Sequence, residues 1–233
     1  MTNYTATLPR TIDPETGLGT TAQPITNPDG TFVGSSATPA GEAHIGQVGG
    51  STPRVTAQIA RPADNTAYSI GDMIANSTTA ASVVPITFAS AARITNGSGR
   101  ITGCRCTLTA ASGTIVLPKF DLLIFRPATS IPFAAGSYPA DNAALNVSAA
   151  AFKELVAIFS FLDTGWRNQA GGATAAGDHV YQAVTLASGR IYAPFNLASL
   201  SSADLLGIMQ AQNTWTPTGI VNTFDFALDV DQD

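Results

Sequence analysis

Leu162-Asp163-Thr164-Gly165 comes nearest to a catalytic motif in this chain. In aspartic proteases an Asp-Thr-Gly carboxylate shares a proton with a second one, and the pair activates water. A single copy here would need a homodimer to supply the partner. Trp166 also follows where the motif continues with a small residue. The same four residues, coming after a strand, make an ordinary tight turn, with Asp capping its own backbone and Gly accepting φ > 0. The turn is the expectation.

Cys104 and Cys106 lie two apart. On a strand they share a face at roughly 6.5–7 Å, which suits a disulfide poorly. They supply two ligands where zinc normally takes four, and His44 and His179 are remote in sequence. Buried free thiols without metal are expected. Asp225, Asp229, Asp231 and Asp233 crowd the C-terminus and could offer oxygens to calcium. They alternate with Phe224, Phe226, Leu228 and Val230, so one wet and one dry face of a strand explains them. Gly171–Gly177 is glycine-rich, but no Gly-Lys-Ser/Thr follows, and it reads as a loop rather than a phosphate cradle. No Ser sits in a Gly-x-Ser-x-Gly elbow with a plausible His partner.

Composition limits the chemistry further. Charged residues are 12% of the 233, about half the usual share. Without a paired nucleophile and base, the expectation is a chain that is no enzyme and carries no cofactor. A net charge of −5 and the lack of any Lys/Arg run argue against nucleic acid. No apolar stretch approaches the ~20 residues of a membrane helix. Met1–Thr5 has neither the basic start nor the apolar middle of a signal peptide, so a cytoplasmic origin is expected. Asn76-Ser77-Thr78 and Asn146-Val147-Ser148 fit the glycosylation pattern by chance on that reading.

The elements that must carry these residues are short strands behind a long arm. Residues 1–53 are broken repeatedly by Pro and Gly, as in Asn27-Pro28-Asp29-Gly30, and make an extended N-terminal arm that cannot fold alone. Tyr4, Leu8, Ile12, Ile25, Phe32 and Val33 are spaced along it like anchors, and Arg10 could add an ion pair to an acidic partner. From 54 to 233 the pattern is eight or nine strands. They are Val55–Ile59; Tyr68–Ile74; Val83–Phe88, placed on an edge or at a bulge by Pro85; Arg100–Leu108 after an Asn96-Gly97 turn; Ile115–Phe125, buried on both faces in its second half; Val156–Phe161; His179–Leu186 continuing past a Ser188-Gly189 turn to Arg190–Tyr192; Leu205–Gln212; and Thr223–Val230. A short helix capped by Ser148 precedes Val156. The expected fold is all-β: a jelly-roll-like antiparallel β-sandwich with an extended N-terminal arm.

Several segments appear in a suggestive order: Gly46–Gly50, Tyr68–Ile74, Phe120–Phe125, Asp141–Ala144 before the small helix, and Leu205–Ala211. In this order, over about residues 46–230, the chain resembles a broad group of tailed-bacteriophage virion proteins with a jelly-roll-like β-sandwich. Capsid decoration (cement) and fibre-associated proteins are among them. The resemblance implies a structural role in the virion, self-association into a homo-oligomer such as a trimer, and partners such as the major capsid protein. It brings no catalytic motif. The alternative is a receptor- or carbohydrate-binding module of a fibre, with Trp166, Tyr181, Tyr192 and Trp215 as stacking platforms.

Overall fold

The computed structural model describes residues 52–111, 115–127, 138–168 and 179–233. Among them eleven strands follow in order. They are β1 (Arg54–Arg61), β2 (Met73–Ile74), β3 (Ile86–Phe88), β4 (Ser98–Ala110), β5 (Phe120–Phe125), β6 (Leu155–Phe161), β7 (Arg167–Asn168), β8 (His179–Val184), β9 (Ala193–Asn196), β10 (Leu205–Ala211) and β11 (Asn222–Gln232). A single helical turn, α1 (Ala149–Phe152), lies between β5 and β6. Ser148 caps it as expected, its hydroxyl accepting from the Ala151 N–H at 3.1 Å.

All described pairings are antiparallel, and they fall into two sheets. One runs β1-β11-β4-β8-β7, with β9 extending the β8 side of β4. The other runs β2-β10-β5-β6, with β3 continuing the β2 side of β10. If β2 with β3 and β8 with β9 are each taken as one interrupted strand and the short β7 is set aside, the pairs become first with eighth, second with seventh, third with sixth, and fourth with fifth. That is one long antiparallel ribbon rolled into two layers, the jelly roll. The expected all-β sandwich is the fold.

Alternation drives the larger sheet. Along β11, Phe224, Phe226, Leu228, Val230 and Gln232 are buried while Thr223, Asp225, Ala227, Asp229 and Asp231 turn outward. β4 answers with Cys104, Cys106 and Leu108 on the inner face. Across the sandwich, Phe120 of β5 stacks on Phe161 of β6 at 4.9 Å and meets Phe224 and Phe226 edge-on at 5.5 and 6.2 Å. Each such ring, fully buried, stabilises the fold by about 1.5–3 kcal/mol.

The smaller sheet is covered on both faces. Leu122 and Ile124 point into the main core, while Leu123, Phe125, Met73 and Ile208 pack under Val83, Tyr138, Leu145 and Ala151. The double burial read from Phe120–Phe125 is therefore correct, and of the two places Pro85 allowed, an edge or a bulge, β3 takes the edge, pairing with β10 alone among the described residues.

Three expected strands differ. Residues 115–119 are irregular, because Pro118 has no N–H to give a ladder and the pairing begins only at Phe120. Tyr68–Ile74 is strand only at Met73–Ile74, since Gly71 sits at φ +94° and turns the chain. A turn at Ala187–Ser188 leads to Gly189, at φ +69°, residues 190–192 are exposed and irregular, and β9 begins at Ala193. Apolar residues there belong to a protruding tip, Ile191 being 87% exposed.

Candidate functional site

Asp163, Thr164 and Gly165 form a single 3-10 turn after β6, with Asp163 Oδ1 accepting from the Thr164 N–H at 2.9 Å. The turn reading holds, but its glycine is needed for a different reason. Gly165 has no positive φ. Instead, a Cβ there would lie 2.2 Å from the buried Gln182 amide. That amide, oriented to satisfy both partners, donates to the Leu162 carbonyl at 3.0 Å and accepts from its N–H at 3.2 Å. The Asp-Thr-Gly triplet is thus packed against β8, and its carboxylate serves its own backbone.

Cys104 and Cys106 both point into the core as free thiols, and burial pushes both thiols' pKa values up, so neither is a thiolate nucleophile. Asp229 bridges Arg105 at 2.7 Å and Arg54 at 3.6 Å on the outer face of the larger sheet. Among the described residues no three His, Cys, Asp or Glu side chains gather closely enough to hold a metal ion. Gly171–Gly177 and His44 lie outside the described residues.

The concentrated electrostatics of the molecule are buried. Val55 and Ile59 of β1 face inward, and the same period turns Arg61 into the core, where it is 1% exposed. Its Nε donates to the Tyr68 hydroxyl at 2.6 Å and lies 3.7 Å from Asp141 Oδ2. The remaining guanidinium nitrogens donate to the carbonyls of Pro62 and Asp64. Tyr68 in turn donates to Asp141 at 2.7 Å, and Asp141 also accepts from the Ala75 N–H at 2.7 Å. The Arg61 guanidinium rests 5.4 and 5.6 Å from the Tyr68 and Trp215 ring centres, and these rings stack at 4.9 Å.

Burial raises the Asp141 pKa, against hydrogen bonds and the Arg61 charge that lower it, and burial likewise raises that of Tyr68. With Tyr68 wholly buried, no solute reaches this network. What it does is tie the β1–β2 connection to the segment before α1. The spacing of Val55, Ala57 and Ile59 carried the signal that Arg61 would be internal. Nothing in the spacing linked it to Asp141.

Of the four aromatic residues considered for stacking on sugars, Trp166 and Trp215 are core residues whose indole N–H groups donate to the carbonyls of Pro118 and Val116. Tyr181 and Tyr192 are exposed. Tyr181 stands on the outer sheet face opposite Arg167, and Tyr192 packs under Arg100. The structure does not bring the four together.

Two surface depressions of the described residues stand out beside the one at Arg100 and Tyr192. One is a shallow trough on the outer face of the larger sheet, floored by Thr56, Gln58, Thr107 and Ala227, with Arg54 and Arg105 along it. The other is a groove of about 490 Å³ between β6 and the turn after β8, lined by Leu155, Val156, Ile158, Leu186, Arg190 and Pro194. Sequence reasoning missed this groove because it forms between segments some thirty residues apart. Tyr4, Leu8, Arg10, Ile12, Ile25, Phe32 and Val33, the anchors expected in the arm, lie outside the described residues. No protein-family model matches the chain, and no curated protein matches it.

Proposed function

We propose that this chain is a non-enzymatic structural protein of a bacteriophage particle. In this reading it is a capsid decoration or cement protein that self-associates and whose N-terminal arm tethers it to neighbouring subunits, the major capsid protein among them. The strand order carries the reading. A ribbon paired first with eighth through fourth with fifth is the architecture of many capsid domains. Since one fold hosts many functions, the arm and the chemistry must agree with it. They do: the motif nearest to a catalytic one is a packed turn, the buried charges are closed from solvent, and an arm of about fifty residues precedes β1. The fibre-associated glycan-binding alternative has lost two of its four aromatic platforms to the core.

A chain beginning at Ser51 tests the proposal. It should keep the sandwich and its melting behaviour while losing incorporation into particles. Incorporation at full occupancy would overturn the tether, and absence of the full-length protein from purified particles would overturn the structural role.

A further inference from the structure

A strand at the edge of a sheet offers unpaired N–H and C=O groups as a template for another chain. Folded proteins blunt such edges by shortness, proline, bulges or cover. Among the described residues six strands pair on one side only: β1, β7 and β9 in the larger sheet, and β2, β3 and β6 in the smaller. Five of them are blunted. β7 and β2 are two residues long, and β2 is also met by the Ala143 carbonyl and the Asn142 N–H. β3 has three residues and follows Pro85, while β9 has four and contains Pro194. β6 carries a register shift opposite Phe125, and its Ile158 carbonyl accepts from the Ala187 N–H at 2.9 Å. β1 is the exception. Its eight residues pair with β11 in unbroken register and include neither proline nor glycine, and no described residue bonds its other side.

Two bonds at the margins of the sheet fix which way the backbone groups of β1 point. The Val230 N–H donates to the Pro53 carbonyl, and the Ala111 N–H donates to the Val221 carbonyl. Successive residues of an antiparallel strand turn their N–H and C=O to opposite sides. Even-numbered residues of β11 therefore bond toward β1, and odd-numbered ones toward β4. The register then turns Val55, Ala57, Ile59 and Arg61 to β11, and Arg54, Thr56, Gln58 and Ala60 to the open edge. Laid antiparallel to a second β1 and centred on Ala57, the four outward residues pair wholly among themselves. Arg54 lies opposite Ala60 and Thr56 opposite Gln58, each pair twice, and no like charges face each other. Val55 meets Ile59 on the inner side, an apolar cross-strand pair. The neighbouring registers that keep each side chain on its face are poorer. One puts Arg54 opposite Pro62, which has no N–H to give, and the other carries Ala60 past the strand to Thr52.

We infer that two copies of this chain join through β1, edge to edge about a two-fold axis at Ala57, so that the larger sheet runs on across both. Backbone pairing gives the affinity, and the contact, the same patch on each copy, closes at two chains. The inference rests on the self-association proposed above and names its surface. The test uses the full-length chain. By sedimentation the wild type should have the mass of two chains, and Thr56→Pro the mass of one. The Thr56 N–H faces away from β11, so proline there should leave the fold of the single copy intact, as judged by its far-UV spectrum. Ala57→Cys gives a second readout, which decides the matter even if Thr56→Pro fails to fold. Facing residues of a non-hydrogen-bonded pair lie about 4.5 Å apart at Cα, within disulfide reach. The native thiols are buried, so a new cysteine reports alone. Mild oxidation should link Ala57→Cys chains in pairs and should not link Ala183→Cys, at an exposed position on β8 of the same sheet. A dimer that survives Thr56→Pro, or equal crosslinking at positions 57 and 183, overturns the inference while self-association stands. A wild type of three chains does the same. A monomeric wild type overturns both, and particle incorporation is judged separately by the Ser51 chain.

Discussion

Arg61 and Asp141 form the one fully buried ion pair among the described residues. Removing one partner of a buried ion pair strands the other without water, a loss of about 3–5 kcal/mol. Arg61→Ala should therefore shift chemical denaturation by that amount, far more than Arg54→Ala, whose bridge to Asp229 is exposed. The pH dependence has a definite sign. Burial holds the Asp141 pKa above its ordinary value of about 3.9, so the folded state keeps this proton longer than the unfolded chain does. Its contribution to stability is full below that value and is lost as pH rises through the folded pKa. The stability of wild type relative to Asp141→Asn should accordingly fall as pH is raised out of the ordinary carboxylate range. A difference that grows with pH would overturn the assignment. At Asp163 the prediction is negative: Asp163→Asn should alter folding or yield at most, with no peptidase activity present to be lost. Gly165→Ala is the harmful change in that turn. It displaces the Gln182 amide from Leu162 and should cost about 1–3 kcal/mol in denaturant titration.

At the scale of elements, the clearest strands in the sequence were those with one wet and one dry face, since the pattern records which side meets water. β11 and β1 are of this kind, and β6 was also placed within a residue or two of its bounds. β5 was recognisable within the longer Ile115–Phe125 run because its uninterrupted apolar part, Leu122–Phe125, needs cover on both sides. What was not legible depended on backbone twist or on distant partners. Gly71 keeps β2 from starting before Met73 although the pattern runs from Tyr68, while the Ser188-Gly189 turn was read correctly, and β9 exists because β4 is long enough to pair beyond the end of β8. The candidate groove and the Arg61–Asp141 link are products of such distant partners. One element-level test concerns β10. Gly207 lies between β3 and β5, and a Cβ there would come 2.9 Å from the Phe88 ring and 3.3 Å from Leu122. Gly207→Val should destabilise by about 1–3 kcal/mol through overpacking, measured by thermal or chemical unfolding. The thiols of β4 give a second test. In the native protein both should resist a thiol reagent, and in denatured, unreduced protein both should react.

At the scale of the whole molecule, the rolled ribbon joins the two ends of the sandwich. Arg61 of β1 is aligned with Asn222 of β11, and the register continues to Arg54 opposite Asp229. Synthesis at about 5–20 residues per second leaves β1 waiting roughly 8–30 s for its partner to be made. During that wait its inward residues, Arg61 included, have no sheet to join. Pairings of such long sequence separation are slow to form, because loop closure precedes any reward from contact. A released chain ending at Val221 would therefore hold the inner pairs from β5–β6 outward to β2–β10, yet the layer that seals them could not form. β11 acts as a latch, because among the described residues it is the strand through which β1 joins its sheet.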